Sequence, residues 1–208
     1  MQLLMTGFEP FGGSDVNPSA LLAAHLAREQ WPGMSVAFRL LPVVTGSESG
    51  SARAVLADAI ADLRPEVVVC FGESARATHI TFERVAVNLR DGPVDNAGVR
   101  CTDLPVEEGG PTAHFVTLPV RRMADACEGE GVPAALSMSA GTFLCNEVLY
   151  ALLSGAAIGR WGFVRAAGFI HVPQLPEQAR ARGGPSMPLD HVVRGVRASV
   201  FSLVPPLG

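Results

Sequence analysis

Lysine is absent from this 208-residue chain; all sixteen basic residues are arginines. Without a side-chain amine, Schiff-base and pyridoxal chemistry are excluded, and so is a Walker-type phosphate loop. Charged residues make up only 17% of the chain, and the net charge of −4 comes with no basic tract. Nucleic-acid binding therefore has no support. No stretch approaches the roughly 18 uncharged apolar residues of a membrane helix. The most apolar C-terminal region, residues 156–172, is broken by Arg160 and Arg165. The opening MQLLMTGFEPFGG has too short an apolar run for a signal peptide and reaches a charge at Glu9. A soluble, cytosolic protein is expected, its four cysteines reduced thiols rather than a disulfide framework. GxGxxG, GKS/T, GxSxG, CxxC and HExxH are all missing. Neither a dinucleotide fingerprint, a serine-hydrolase elbow nor a metal site is supported.

What is present is apolar: 48% of the residues are hydrophobic, enough for one domain with a large core. Strand-like runs fall at residues 3–6, 35–41, 66–71, 79–88, 133–138 and 163–172. Helix-like stretches fall at 18–29, 51–63, 120–128, 142–153 and 189–203. Asn17 is a plausible N-cap and Pro18 a first-turn proline. Residues 90–110, rich in Gly, Pro and Asp, read as a long loop of the kind compact domains keep for function. Few apolar residues there are available for burial, so the loop is expected to be loosely held until a ligand orders it. The alternation implies an α/β fold over residues 1–208: a single domain with a twisted, mostly parallel sheet and helices on both faces.

In open parallel sheets ligands collect at the carboxyl ends of the strands. Cys70 ends an apolar strand, Cys101 lies in the polar loop and Cys127 near a helix end. Cys145 instead opens a helix after the run ALSMSAGTFL, where the positive end of the helix favours a thiolate. Position alone leaves a small buried residue as an equal reading. Of the five histidines, His171 emerges from the apolar run AAGFI at a strand end on the edge expected for Cys145. A thiol beside an imidazole is the minimal acyl-transfer pair, and a carboxylate to orient the ring would complete it. Glu83, a charge inside the alternating strand ITFERVAV, is the best such carboxylate, with solvent exposure or pairing beside Arg84 as the alternative.

At these residues the sequence resembles pyroglutamyl peptidase type I, the pyrrolidone-carboxylate peptidases. MTGFEPFGGSDVNPS resembles the family's opening motif, ITFERVAVN its glutamate motif, SAGTFLCNEVLYALL its cysteine motif and GFIHVPQLPEQ its histidine motif. The resemblance implies a phosphorylase/hydrolase-like fold, a homotetramer, no cofactor, and a Cys145–His171–Glu83 triad acting on N-terminally pyroglutamyl peptides. It also implies a substrate pocket drawn from Phe8, Phe11, Glu73, Phe143 and Leu144. Glu73 stands where glutamine is common in the family, and NLRDGPVDN is one residue shorter than the usual form. A carboxylate at a pocket for a neutral lactam is expected to turn to solvent or to Arg76. Two rivals remain: another cysteine amidase on the same fold, and a non-catalytic binder of pyroglutamyl peptides.

Overall fold

The structure, a computed structural model, describes residues 1–204. Its strands are β1 (Gln2–Phe8), β2 (Ser35–Leu41), β3 (Val67–Ser74), β4 (Ile80–Glu83), β5 (Val85–Val87), β6 (Ala113–Phe115), β7 (Ala134–Ser137) and β8 (Ala166–Pro173). Its helices are α1 (Pro18–Leu26), α2 (Ala52–Leu63), α3 (Val120–Gly129), α4 (Leu144–Ala157), α5 (Pro176–Arg182) and α6 (Leu189–Phe201). Local chemistry sets several of the boundaries. Asn17 accepts from the N–H of Ser19 and Ser51 from that of Ala54, which satisfies otherwise orphaned donors at the starts of α1 and α2.

Six strands form the main sheet in the order β2-β1-β3-β8-β4-β7. Every neighbouring pair is parallel except β4 with β8. Strand periodicity sorts the side chains onto two cores. Leu3, Met5, Val67, Val69, Phe71, Ile80, Phe82, Ile170 and Val172 pack with α1, α3 and α6 on one face. Leu4, Val68, Cys70, Ala167 and Phe169 pack with α2 and α4 on the other. Most of these side chains are fully buried, each contributing about 1.5–3 kcal/mol of transfer free energy when large.

Three expectations are revised. The single strand anticipated over 79–88 divides at Arg84: β4 stays in the main sheet, whereas β5 joins β6 in a separate two-stranded sheet. The helix α5 and the strand β6 were not anticipated. The carboxyl end of β7 also points opposite to that of β8, because β7 is parallel to β4 and β4 antiparallel to β8. His171 lies within β8, two residues before its end.

Candidate active site

Strand parity assembles the polar groups. Phe169 faces α4, so His171, two residues on, faces the same side. Ile80 and Phe82 face the opposite core, which turns Thr81 and Glu83 toward α4 as well. In the antiparallel β4–β8 pair His171 stands opposite Thr81. Glu83, 2% exposed, thereby reaches across the ladder, and its Oε1 lies 2.8 Å from His171 Nδ1. Glu83 is thus neither solvated nor paired beside Arg84. Its Oε2 is buried without a partner among the described residues, so no other donor there competes with the imidazole for the carboxylate.

Cys145 is the second residue of α4. Its Sγ sits over Gly72, the residue of β3 in register with His171. A β-carbon added at Gly72 would lie 2.8 Å from Sγ, so the absence of a side chain is what gives the sulfur its seat. Burial by itself lowers the pKa of His171. The charge and hydrogen bond of Cys145, followed by those of Glu83, outweigh that and raise it to about 10. The ring is therefore held as an imidazolium beside the sulfur. Burial pushes the Cys70 and Cys127 thiols up to about 12. Neither can supply a thiolate near neutral pH.

The residue at the N-cap of α4 is Phe143, which has no side-chain acceptor to offer the first turn. The opening N–H groups of α4 are left for another acceptor beside Cys145. Phe143 instead walls a pocket of about 260 Å³, mouth included, with Phe8, Phe11, Asn17, Val43, Glu73, Leu144 and Cys145. All five residues named from the sequence line it. Asn17 and Val43 are additions; Asn17 was legible only as a helix cap.

Glu73 does not turn to solvent or to Arg76. Its side chain, 2% exposed, pairs with Arg182 and accepts a 3.1 Å bond from Gln178 Nε2. Both partners sit on α5, which starts on Pro176 and runs through PEQARAR. Gln178 also reaches Ser14 Oγ at 2.9 Å and the Val16 carbonyl at 3.2 Å, tying the opening loop to the pocket. A proline at the first helical position was the available signal for α5.

The loop over residues 90–110 is anchored more heavily than its composition implies. Arg90 and Leu104 form a bridge, and buried Asp95 accepts from the N–H groups of Thr45, Ala97 and Val99. Asn96 donates to the Pro10 carbonyl, and Val106 is buried. Two polar residues of α4 hold what surrounds the loop. Asn146 brackets β5, accepting from the Val87 N–H and donating to the Val87 and Leu89 carbonyls. Buried Glu147 accepts from Thr45 Oγ1 at 2.5 Å and Gly46 N at 2.9 Å, within 3.9 Å of Arg53 and 3.7 Å of Arg90.

A thiol at a helix start, an imidazole beside it and a carboxylate fixing that imidazole can carry out acyl transfer through a thioester, the chemistry of a cysteine hydrolase. Comparison with known proteins narrows the class. A pyroglutamyl peptidase profile matches residues 1–204. The chain is 43% identical over 202 residues to the pyrrolidone-carboxylate peptidase of Escherichia fergusonii, covering 96% of this chain and 91% of that one. It is 44% identical over 198 residues to that of Gloeobacter violaceus, covering 94% and 93%. Pyroglutamyl peptidase I from Bacillus amyloliquefaciens superposes with a TM-score of 0.91 at 35% identity, covering 98% of this chain and 95% of that one. A mutant pyrrolidone carboxyl peptidase from Pyrococcus furiosus gives 0.90 at 36%, covering 98% of each. This chain belongs to the pyroglutamyl peptidase family.

Proposed function

We propose that this protein is a cysteine exopeptidase that removes N-terminal pyroglutamyl residues from peptides, with Cys145 as nucleophile. The carrying observation is the Glu83–His171 bond of 2.8 Å, with Cys145 Sγ seated over Gly72, the residue in register with His171, and at the wall of an apolar pocket. Glu83 holds the Nδ1 proton, so Nε2 faces the sulfur and carries the proton drawn from it, which leaves a thiolate beside an imidazolium. The thiolate attacks the pyroglutamyl carbonyl; a C–S bond forms and the carbonyl electron pair moves to oxygen. The free N–H groups at the start of α4 stabilise that oxyanion. As it collapses the C–N bond breaks, and His171 gives its proton to the departing amine. Water, deprotonated by His171, then hydrolyses the thioester and releases pyroglutamate.

The pocket's chemistry supports the acyl choice. A lactam is small and uncharged, and Phe8, Phe11, Phe143 and Leu144 offer it apolar walls. Glu73 is already neutralised by Arg182, so no free countercharge invites an N-terminal ammonium. No cofactor enters any step. We extend the reading to a homotetramer in the cytoplasm. A nucleophilic thiol is best kept in a reducing compartment, and exposed Phe115 and Met138 offer apolar surface for association. Light scattering tests the assembly.

Pyroglutamyl-coumarin amide should be hydrolysed, and iodoacetamide should stop the reaction. Cys145→Ala should be inactive while folded, and Cys145→Ser almost as inactive. A Cys145→Ala enzyme keeping a tenth of wild-type turnover would overturn the assignment. Hydrolysis of other N-terminal acyl amides in preference to the pyroglutamyl one would favour the rival amidase.

A further inference from the structure

We infer that the cleft beside His171, opposite the phenylalanine pocket, receives the leaving peptide, and that Arg76 there selects for a carboxylate close behind the scissile bond. This rests on the acyl assignment above. In the sheet order β1-β3-β8-β4-β7 the phenylalanine pocket stands over β1 and β3. A second cavity, about 720 Å³ with its mouth, stands over β8, β4 and β7. His171 and Glu83 line the second cavity, and Glu73 lines both, marking their junction. The amine that accepts the His171 proton must lie against that imidazole. With the acyl ring on the Cys145 side, the peptide chain continues into the second cavity.

The charges there sort simply. Glu83 is engaged by His171, and Glu73 by Arg182. Ser137 and Ser139 are neutral, and His79 shares a 3.1 Å contact with Thr78. Arg76 lines the cavity and is exposed. Among the described residues no carboxylate lies within ion-pair distance of it. An unpaired guanidinium at the wall of a peptide channel recognises a carboxylate. Two sources fit: an acidic side chain directly after the pyroglutamyl residue, or the terminal carboxylate of a pyroglutamyl dipeptide.

Competition kinetics separate the two sources. The pair pyroglutamyl-aspartyl amide and pyroglutamyl-asparaginyl amide reports the side chain. The pair pyroglutamyl-alanine and pyroglutamyl-alanyl amide reports the terminus. In at least one pair the charged peptide should have the higher kcat/KM by about two- to fivefold, the range of a solvent-exposed ion pair. The ratio should shrink with added salt, fall to one in Arg76→Gln and invert in Arg76→Glu. Wild-type ratios of one in both pairs, or ratios that survive Arg76→Gln, overturn the inference. Failure to release pyroglutamate from all four peptides and from the coumarin amide would sink the acyl assignment, and this inference with it.

Discussion

Gly72→Ala isolates the seat of the nucleophile from its chemistry. Gly72 does not have a positive φ, so an alanine there meets no backbone penalty. The added carbon would lie 2.8 Å from Cys145 Sγ and 2.8 Å from two ring atoms of Phe169. Comfortable carbon contacts begin near 3.5 Å, so the neighbours must give by about 0.7 Å or more. The Phe169 ring is fully buried and lies tilted against His171, centroids 4.9 Å apart, whereas Cys145 is only part-buried at the mouth of the pocket. The sulfur yields more readily than the ring. Overpacking of this kind costs about 1–3 kcal/mol, and a nucleophile displaced by about 1 Å can lose 10²-fold in rate. The expected result is a folded enzyme whose melting temperature falls by about 2–12 °C and whose kcat falls about 10²-fold. Differential scanning calorimetry and steady-state hydrolysis of pyroglutamyl-coumarin amide measure the two. A kcat within twofold of wild type would show that Sγ is not held against Gly72 during turnover, and would refute the reasoning.

Glu83→Gln keeps a hydrogen-bond acceptor but removes the charge behind the imidazolium. Loss of the orienting acid costs about 10⁴ in a serine triad, and a kcat drop of that order is expected here; normal turnover would remove Glu83 from the mechanism. His171 has a raised folded pKa, so its contribution to stability is complete below about 6.5 and is lost as the pH climbs through about 10. Because Cys145 is the largest of the raising causes, Cys145→Ala should lower the imidazole titration midpoint seen by NMR and flatten the stability profile across that window. An unmoved midpoint would separate the two side chains. Glu147→Ala strands the Thr45 and Gly46 donors and frees two arginines, which should cost about 3 kcal/mol or more, a melting temperature lower by about 6–12 °C. A fall under 2 °C would count against Glu147 as the anchor of the 45–46 turn.

The layered architecture was legible because the apolar runs are long and regular. The run VVVC in β3 is buried on both faces, and the apolar face of the alanine-rich run 51–63 forms α2. Elements governed by tertiary contact were not legible. β6 is three residues with an exposed-intermediate-exposed pattern, and its pairing with β5 is antiparallel across a loop of some 25 residues. Nothing local in Ala113–Phe115 announces a strand. Likewise α5 is seven residues long and polar on most sides. Its meaning lies in where Gln178 and Arg182 reach, which no local pattern encodes.

Cys145 and His171 were paired from the sequence by the rule that sites gather at the carboxyl ends of parallel strands. They do meet, but not for that reason. β7 runs opposite to β8, and the segment between β7 and α4 carries the chain back across the sheet, pinned where Thr142 Oγ1 donates to the Asp91 carbonyl. What brings the three groups together is the period of two. Gly72, Glu83 and His171 occupy positions of one parity on three strands, all on the face that α4 covers. A charged residue at such a position has no water to turn to, so it must find a partner on a neighbouring strand or above it. In a strand of known facing, the parity of a buried carboxylate thus points to the imidazole more reliably than the strand's end does. Had Glu83 stood at position 82 or 84, it would have faced the opposite core or the break between sheets.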